Sequence, residues 1–219
     1  MGLQAVTVWY ALLAVAGYLI GSVPFGLYVA RYSHMRSGLP SGRASANVGP
    51  LDLFRRCRTD RRLAGIAFLL ELAKGFLPTF TGYVALGTPG AVSGGSAALV
   101  GHNFPLFGRL RGANSVAPLL GVLLAVYPIV VVILGMVWTA TLAAWRYASL
   151  AALVAAAVSP LALAALDAGG SYENLVILAA VFWSLLVFFA HRENIRRLAR
   201  GREARIDAPI DEVRRGRVR

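Results

Sequence analysis

Long runs of apolar residues recur along almost the whole chain, and they constrain its fold more than any other feature. The longer runs reach the roughly 17 to 25 residues that an α-helix needs to cross the hydrocarbon core of a bilayer. Hydrophobic residues make up 58% of the 219 residues, and the mean hydropathy is +0.65, far above the values typical of a soluble domain. The sequence therefore predicts an all-α integral membrane protein.

Hydropathy predicts seven transmembrane helices. They lie near residues 5–31, 63–85, 92–107, 115–127, 129–144, 148–166 and 173–190. The fourth and fifth are short and meet at Val126-Tyr127-Pro128, so one longer kinked span is the alternative. Residues 1–205 are predicted to form a single transmembrane domain, and residues 206–219 a disordered, basic cytoplasmic tail.

The positions of the cations favour the map with seven spans. Eight arginines lie between Arg31 and Arg62, and ten more follow from Arg192 onward. Arg109, Arg111 and Arg146 fall in connections on the same side, whereas the opposite connections, residues 86–91, 127–128 and 167–172, contain no Lys or Arg. Because cytoplasmic loops are enriched in Lys and Arg, we predict an external N-terminus and a cytoplasmic C-terminus.

The formal charge of +12 does not by itself indicate a nucleic-acid partner. Arginines that flank membrane spans orient the protein and contact anionic lipid head groups, so we expect lipids and no nucleic acid. The single cysteine, Cys57, excludes an intrachain disulfide. The histidines His34, His102 and His191 lie in different connections, which disfavours a zinc site or a Ser-His-Asp triad. We expect no metal and no cofactor.

Two polar sites in the apolar runs need another explanation. Glu71 and Lys74 are spaced i, i+3 and share one face of a helix, so they can neutralise each other in the membrane. This pair either pins helices together or lines a polar cavity. Because a helix tends to stop before Pro105, we expect His102 and Asn103 to lie in a solvated elbow.

Three connections on the predicted cytoplasmic side are rich in hydrogen-bond donors. In the first, Ser45, Asn47 and Gly49 could form a tight loop, with Arg55 as the first cation behind it. Guanidinium groups match phosphate oxygens, so this mixture suits an anion. An ordinary solvated loop is the alternative.

The second and third connections meet the ends of predicted helices. Gly112-Ala113-Asn114-Ser115 opens the fourth span, where free N–H groups and the helix dipole attract anions, although Asn114 or Ser115 could simply cap the helix. On a helix continuing from span seven, His191 and Asn194 share a face. A helix lying on the bilayer surface is the alternative there.

The chain resembles the bacterial acyl-phosphate:glycerol-3-phosphate acyltransferases, a family of seven-span membrane enzymes. The resemblance runs from about Gly17 to Glu203, and its motifs occur in the family's order. They are GYLIGSVPFGLYVAR (17–31), LELAKG (70–75), GHNFPLFGRLRG (101–112) and HRENIRRLARGRE (191–203). The resemblance implies transfer of a fatty acyl group from acyl phosphate to the first hydroxyl of glycerol 3-phosphate. The product is lysophosphatidic acid, made for phospholipid synthesis at the cytoplasmic face of the bacterial inner membrane.

The resemblance also assigns roles to residues. His191, Asn194 and Ser45 are the expected catalytic residues. The expected phosphate-binding residues are Asn47, Gly49, Arg55, Arg109, Arg111, Gly112, Asn114 and Ser115. Such enzymes need no metal and no acyl-enzyme intermediate.

Two of the family's motifs are altered in this chain. Ala46, Pro50, Leu51 and Asp52 depart from the first motif. Gly112-Ala113-Asn114-Ser115 stands where the family has glycine-glycine-lysine-glycine, so a phosphate-binding lysine is missing. Loss of one charge-assisted contact to phosphate costs about 1.5 to 3 kcal/mol. Arg109 or Arg111 could compensate for it.

Two other functions are also compatible with the sequence. The altered motifs are compatible with a non-catalytic or re-specialised family member that binds lipid or a protein partner. A small transporter is the third class, although the sequence has no visible inverted repeat.

Overall fold

A computed structural model of the chain describes residues 3–29, 32, 61–107, 114–166 and 174–207. All regular secondary structure in these ranges is helical, which confirms the all-α prediction for them. The helices are α1 (Leu3–Ser22), α2 (Arg61–Asn103), α3 (Val116–Val126), α4 (Pro128–Trp145), α5 (Ala148–Leu166), α6 (Asn174–Ala190) and α7 (Arg192–Ala199).

Several of these helices are long and apolar enough to cross a membrane. Within the described ranges, four segments meet this condition: Val6–Val29, Arg62–Asn103, Pro128–Trp145 and Ala148–Leu166. The bent pair α6 and α7 brings the number to five if it forms one span, and α3 is a shorter apolar helix. These segments support a membrane location, while the count of seven spans and their orientation stay predictions.

α2 is a helical hairpin rather than one straight helix. It breaks at Leu86-Gly87, where Gly87 has φ 66° and ψ −155°, a backbone conformation open essentially to glycine. The two arms then run back along each other so closely that Cβ atoms on Gly82 and Gly90 would collide with the opposite backbone. The predicted connection at residues 86–91 is therefore shorter than expected, because Gly87 reverses the chain and helical structure resumes at once.

The described residues fall into two compact units, of which the first is Met1–Pro128. α1 packs on the second arm of α2, and α3 packs on the first arm. Glycines let the backbones touch at these crossings: added Cβ atoms would meet Gly94 O from Gly17, Ala98 O from Gly21, Pro118 O from Gly75 and Leu72 O from Gly121. Such contacts between small residues are a common way to join helices in lipid.

The junction between α3 and α4 tests the alternative of one kinked span. α3 ends at Val126, and Tyr127 has φ −133° and ψ 66°, outside the helical region. α4 begins directly at Pro128, whose fixed φ suits the first position of a helix. The regular helix is therefore interrupted at Tyr127, and the choice between two spans and one kinked span stays a prediction.

In the second unit, Ile129–Arg219, α5 and α6 pack together through buried hydroxyls. Ser184 Oγ donates to Ala156 O over 2.6 Å and lies 3.2 Å from Ser159 Oγ. α6 is followed at His191 by a bend of 63° into α7, so the helix predicted to continue from span seven is broken there. His191 has ψ 9°, which interrupts the regular helix.

The chain after α7 is attached to the connection between α4 and α5. The N–H of Ile206 donates to Arg146 O over 2.8 Å, and Arg146 Nη1 donates to Asp207 Oδ2 over 2.6 Å. Ile206 and Asp207 belong to the predicted tail, and the remainder of the tail, from residue 208, lies outside the described ranges.

Candidate functional site

His191 lies at the bend between α6 and α7 and is fully buried. Its Nδ1 atom is 2.9 Å from the carbonyl oxygen of Val187, one helical turn earlier. A carbonyl oxygen only accepts hydrogen bonds, so Nδ1 carries the proton and Nε2 holds a lone pair. Nε2 is buried and has no hydrogen-bond partner among the described residues.

Burial also controls the charge of this imidazole. It lowers the pKa of His191 below the ordinary value of 6.5, and this effect exceeds the opposing effects of the Val187 hydrogen bond and the Glu203 charge. The ring is therefore neutral at pH 7. A neutral ring with an unpartnered Nε2 is able to accept a proton or a hydrogen bond from a small molecule.

Asn194 is held by Glu203, which is not among the residues predicted from sequence to form the site. Asn194 Nδ2 donates to Glu203 Oε1 over 2.8 Å, and Arg197 Nε donates to Glu203 Oε2 over 2.7 Å. Ser149, at the start of α5, donates to the same carboxylate over 2.6 Å. This buried carboxylate thus fixes α7 to α5 and sets the orientation of Asn194. The available signal was a carboxylate surrounded by the arginines of RRLARGREAR, residues 196–205.

Ser115 and Asn114 precede α3, as predicted. Ser115 occupies the cap position, but its side chain makes no capping hydrogen bond. Its Oγ atom is buried and unpartnered within the described part of the chain. The predicted alternative of a simple side-chain cap therefore does not hold for Ser115, and an additional hydrogen-bonding group is available beside the free N–H groups of α3.

The other predicted site residues lie outside the described ranges. These are Ser45, Asn47, Gly49, Arg55, Arg109, Arg111 and Gly112. Their roles stay predictions. In the described ranges there is no group of three or more His, Cys, Asp or Glu side chains able to hold a metal ion.

The expected solvated elbow at His102 and Asn103 is wrong. Both side chains are buried, and Asn103 Nδ2 donates to Leu99 O within its own helix. His102 Nδ1 lies 3.3 Å from Glu71 Oε2, which in turn pairs with Lys74 Nζ at 2.7 Å. The helix does end at Asn103, ahead of Pro105, but packing against the first arm of α2 excludes water from its last turn.

Comparison with known proteins agrees with this architecture. The sequence profile of the family described as glycerol-3-phosphate acyltransferase matches residues 11–201. The glycerol-3-phosphate acyltransferase of Bradyrhizobium diazoefficiens is 36% identical over 209 residues, covering 94% of this chain and 98% of the relative. That of Jannaschia sp. is 40% identical over 197 residues, covering 89% and 92%.

Solved structures are similar as well. One is a crystal structure of PlsY (YgiH), an integral membrane glycerol 3-phosphate acyltransferase, in its glycerol 3-phosphate form. It superposes with a TM-score of 0.78 at 30% identity, covering 93% of this chain and 98% of the other. The lysophosphatidic acid form gives a TM-score of 0.75, also at 30% identity, covering 90% and 94%. With a profile match across most of its length and relatives of this similarity, the chain belongs to the glycerol-3-phosphate acyltransferase family.

Proposed function

We propose that this protein transfers a fatty acyl group from acyl phosphate to the sn-1 hydroxyl of glycerol 3-phosphate and forms lysophosphatidic acid. Membership of the family supports the reaction and the acceptor. The structural observation that carries the proposal is the buried, neutral His191 with its unpartnered Nε2. The acyl phosphate donor follows from the motif resemblance.

In the proposed reaction, the sn-1 oxygen attacks the carbonyl carbon of the acyl phosphate. A new carbon–oxygen bond forms, the bond between the acyl carbon and the phosphate oxygen breaks, and inorganic phosphate leaves. His191 Nε2 accepts the hydroxyl proton and passes it to the departing phosphate. Because the mixed anhydride is already activated, positioning and charge neutralisation supply much of the remaining rate.

Asn194 is a positioning residue in this scheme. Its amide nitrogen is engaged by Glu203, so the orientation of its side chain is fixed before substrate arrives. Fixed polar groups avoid the cost of reorganisation during the reaction. Ser45, the third predicted catalytic residue, is proposed to act from the first connection.

The N-terminus of α3 is proposed to bind a substrate phosphate. It offers free N–H groups, a favourable dipole and the buried, unpartnered Ser115 Oγ. Asn114 adds a neutral donor in place of the family's lysine. Arg109 and Arg111 are proposed to supply the missing positive charge, together with Asn47, Gly49, Arg55 and Gly112.

The location proposed is a bacterial inner membrane, with seven spans and the site on the cytoplasmic side. The distribution of arginines along the sequence supports this orientation. Water-soluble glycerol 3-phosphate would then reach the site from the cytoplasm, and the acyl chain from the inner leaflet.

The decisive experiment is an assay of the purified protein with acyl phosphate and labelled glycerol 3-phosphate. We expect wild-type turnover and, for Asn114→Lys, a KM for glycerol 3-phosphate lowered about ten- to a hundredfold by the restored charge. Thr139→Val serves as the control, because Thr139 is exposed and its hydroxyl donates to Gly135 O within its own helix. Absence of turnover in both wild type and Asn114→Lys would refute the proposed reaction.

The altered motifs support a second candidate, a re-specialised member that binds lipid or a protein partner without this turnover. The motivating observation is the replacement of the lysine motif by Gly112-Ala113-Asn114-Ser115, together with Asp52 in the first motif. A silent wild type with activity gained in Asn114→Lys would favour this candidate. Native mass spectrometry would then look for a stoichiometric partner.

A further inference from the structure

The chain after α1 contains a helix break whose backbone groups are bonded by charged side chains. Helical structure stops after Ser22 and resumes at residue 25, with Pro24 in between. Pro24 has no N–H, and the break frees further backbone groups from helical hydrogen bonds. In an apolar bundle each freed group needs a partner.

Lys74 and Glu71 are these partners: the ammonium group donates to a free carbonyl, and the carboxylate accepts from a free N–H. Lys74 Nζ donates to the carbonyl oxygen of Val23 over 3.0 Å, and the N–H of Gly26 donates to Glu71 Oε1 over 3.2 Å. Lys74 Nζ also lies 5.9 Å from the centre of the Phe25 ring. A cation thus faces the acceptor of the break, and an anion faces its donor.

The same carboxylate reaches the end of the second arm of α2. Glu71 Oε2 lies 2.7 Å from Lys74 Nζ and 3.3 Å from His102 Nδ1, and the three side chains are 2–5% exposed. A further tie lies nearby, where the hydroxyl of Tyr18 donates to Phe104 O over 3.0 Å. One buried cluster therefore joins the break after α1 to the last turn of α2.

Both joined segments lead into connections with predicted phosphate-binding residues. The chain runs from the break toward Ser45 and Arg55, and from His102 toward Arg109 and Ser115. We propose that Glu71 and Lys74 are positioning residues that form a clamp. This clamp holds the starts of the two connections at a fixed separation and thereby aligns the two connections predicted to bind phosphate. The fixed separation of the two starts is argued from the contacts of Glu71 and Lys74 alone, while its effect on substrate binding rests on the proposed function.

The polarity of the contacts separates this role from simple charge neutralisation. The double variant Glu71→Lys with Lys74→Glu keeps a neutral pair, but it turns a carboxylate toward Val23 O and an ammonium toward the Gly26 N–H. The double variant Glu71→Met with Lys74→Met removes both charges and both backbone contacts. Neutralisation alone would tolerate either variant, and the proposed clamp tolerates neither.

The first test measures the separation directly by electron paramagnetic resonance of nitroxide pairs on the full chain. The labels are attached through Tyr28→Cys and Phe107→Cys, both exposed positions, in a Cys57→Ser background. We expect a narrow distance distribution in the parent and a shifted or broadened one in both double variants. Ser93→Ala is the matched control, since it removes a different polar contact between α1 and α2 and should leave the distribution unchanged.

A second label pair guards against general unfolding. Labels introduced by Val8→Cys and Val84→Cys lie on exposed positions of α1 and α2 away from the break. The clamp predicts broadening for the first pair with little change in the second. Equal broadening of both pairs, or a double-Met distribution that superposes on the parent's, would overturn the inference.

Kinetics provide the third readout. Because the two connections would be misaligned, kcat/KM for glycerol 3-phosphate should fall on the order of 10²-fold in both double variants, mainly through a higher KM. A loss of folded protein with unchanged constants per folded molecule would contradict the positioning role. If the wild type shows no turnover, the proposed function fails, and the label distances still decide the clamp.

Discussion

At the scale of single residues, backbone carbonyls and N–H groups determine what the polar side chains can do. The carbonyl of Val187 fixes the tautomer of His191, and burial keeps the ring neutral. Glu203 in turn fixes Asn194 and Arg197. His191 and Asn194 are therefore both held in place by groups of the protein itself.

The pH dependence of activity should report on His191. Burial lowers its pKa below 6.5, and the proposed base must be neutral, so activity should persist at pH 6.5 and fall only at lower pH. The same shift favours folding above pH 6.5, and this contribution is lost as the pH falls toward the lowered pKa. His191→Gln should reduce kcat about 10²- to 10⁴-fold and remove this acidic limb. An acidic limb centred above pH 6.5 would contradict the assignment.

Removal of the Glu203 carboxylate should destabilise the protein. Glu203→Ala leaves Ser149 and Asn194 without their shared acceptor, and we expect a loss of about 3 kcal/mol, measured by denaturation in detergent. Glu193→Ala is the matched control, because its pair with Arg196 is exposed on both sides and should contribute less than about 1 kcal/mol. Equal effects of the two substitutions would argue against a structural role for Glu203.

At the scale of helices, glycines determine how closely the elements of the first unit pack. The crossings of α1 with α2 and of α3 with α2 bring one backbone against another at glycine positions. Between apolar helices in lipid, such van der Waals contact replaces the hydrophobic driving force available in water. The arrangement of these helices thus depends on a few small residues more than on the large apolar ones.

A pair of glycine substitutions tests this dependence. Gly75→Ala places a methyl group against the carbonyl oxygen of Pro118 and should cost about 1 to 3 kcal/mol, seen as a lower temperature of aggregation. Gly65→Ala lies in the same arm of α2, and among the described residues the added carbon has no packing neighbour within 4 Å beyond its own stretch of helix. It should leave stability unchanged or raise it slightly. Equal loss in both variants would point to helix propensity rather than packing.

At the scale of the whole molecule, the charge distribution predicts how the protein lies in the membrane. Arginines occupy alternate connections in the map with seven spans, and the intervening connections contain none. This pattern predicts an external N-terminus and cytoplasmic basic connections. It also predicts that the residues proposed to bind phosphate face the compartment that contains soluble substrate.

The orientation can be measured with the single native cysteine. Cys57 lies in the first basic connection, so a membrane-impermeant maleimide should label it only after cells are permeabilised. Gln4→Cys, in a Cys57→Ser background, should be labelled in intact cells, because residue 4 is exposed at the start of α1. The reverse pattern would overturn the predicted orientation.

The sequence by itself determined the class of fold, the family and most helix positions, because hydropathy and motif order are local properties of the chain. It also paired Glu71 with Lys74 from their spacing on a helix. Only the tertiary structure decided what that pair contacts, that His102 is buried, that the chain bends by 63° at His191 and that Glu203 holds Asn194. These features depend on partners from 9 to 51 residues away in sequence or on local packing, which neither periodicity nor composition encodes.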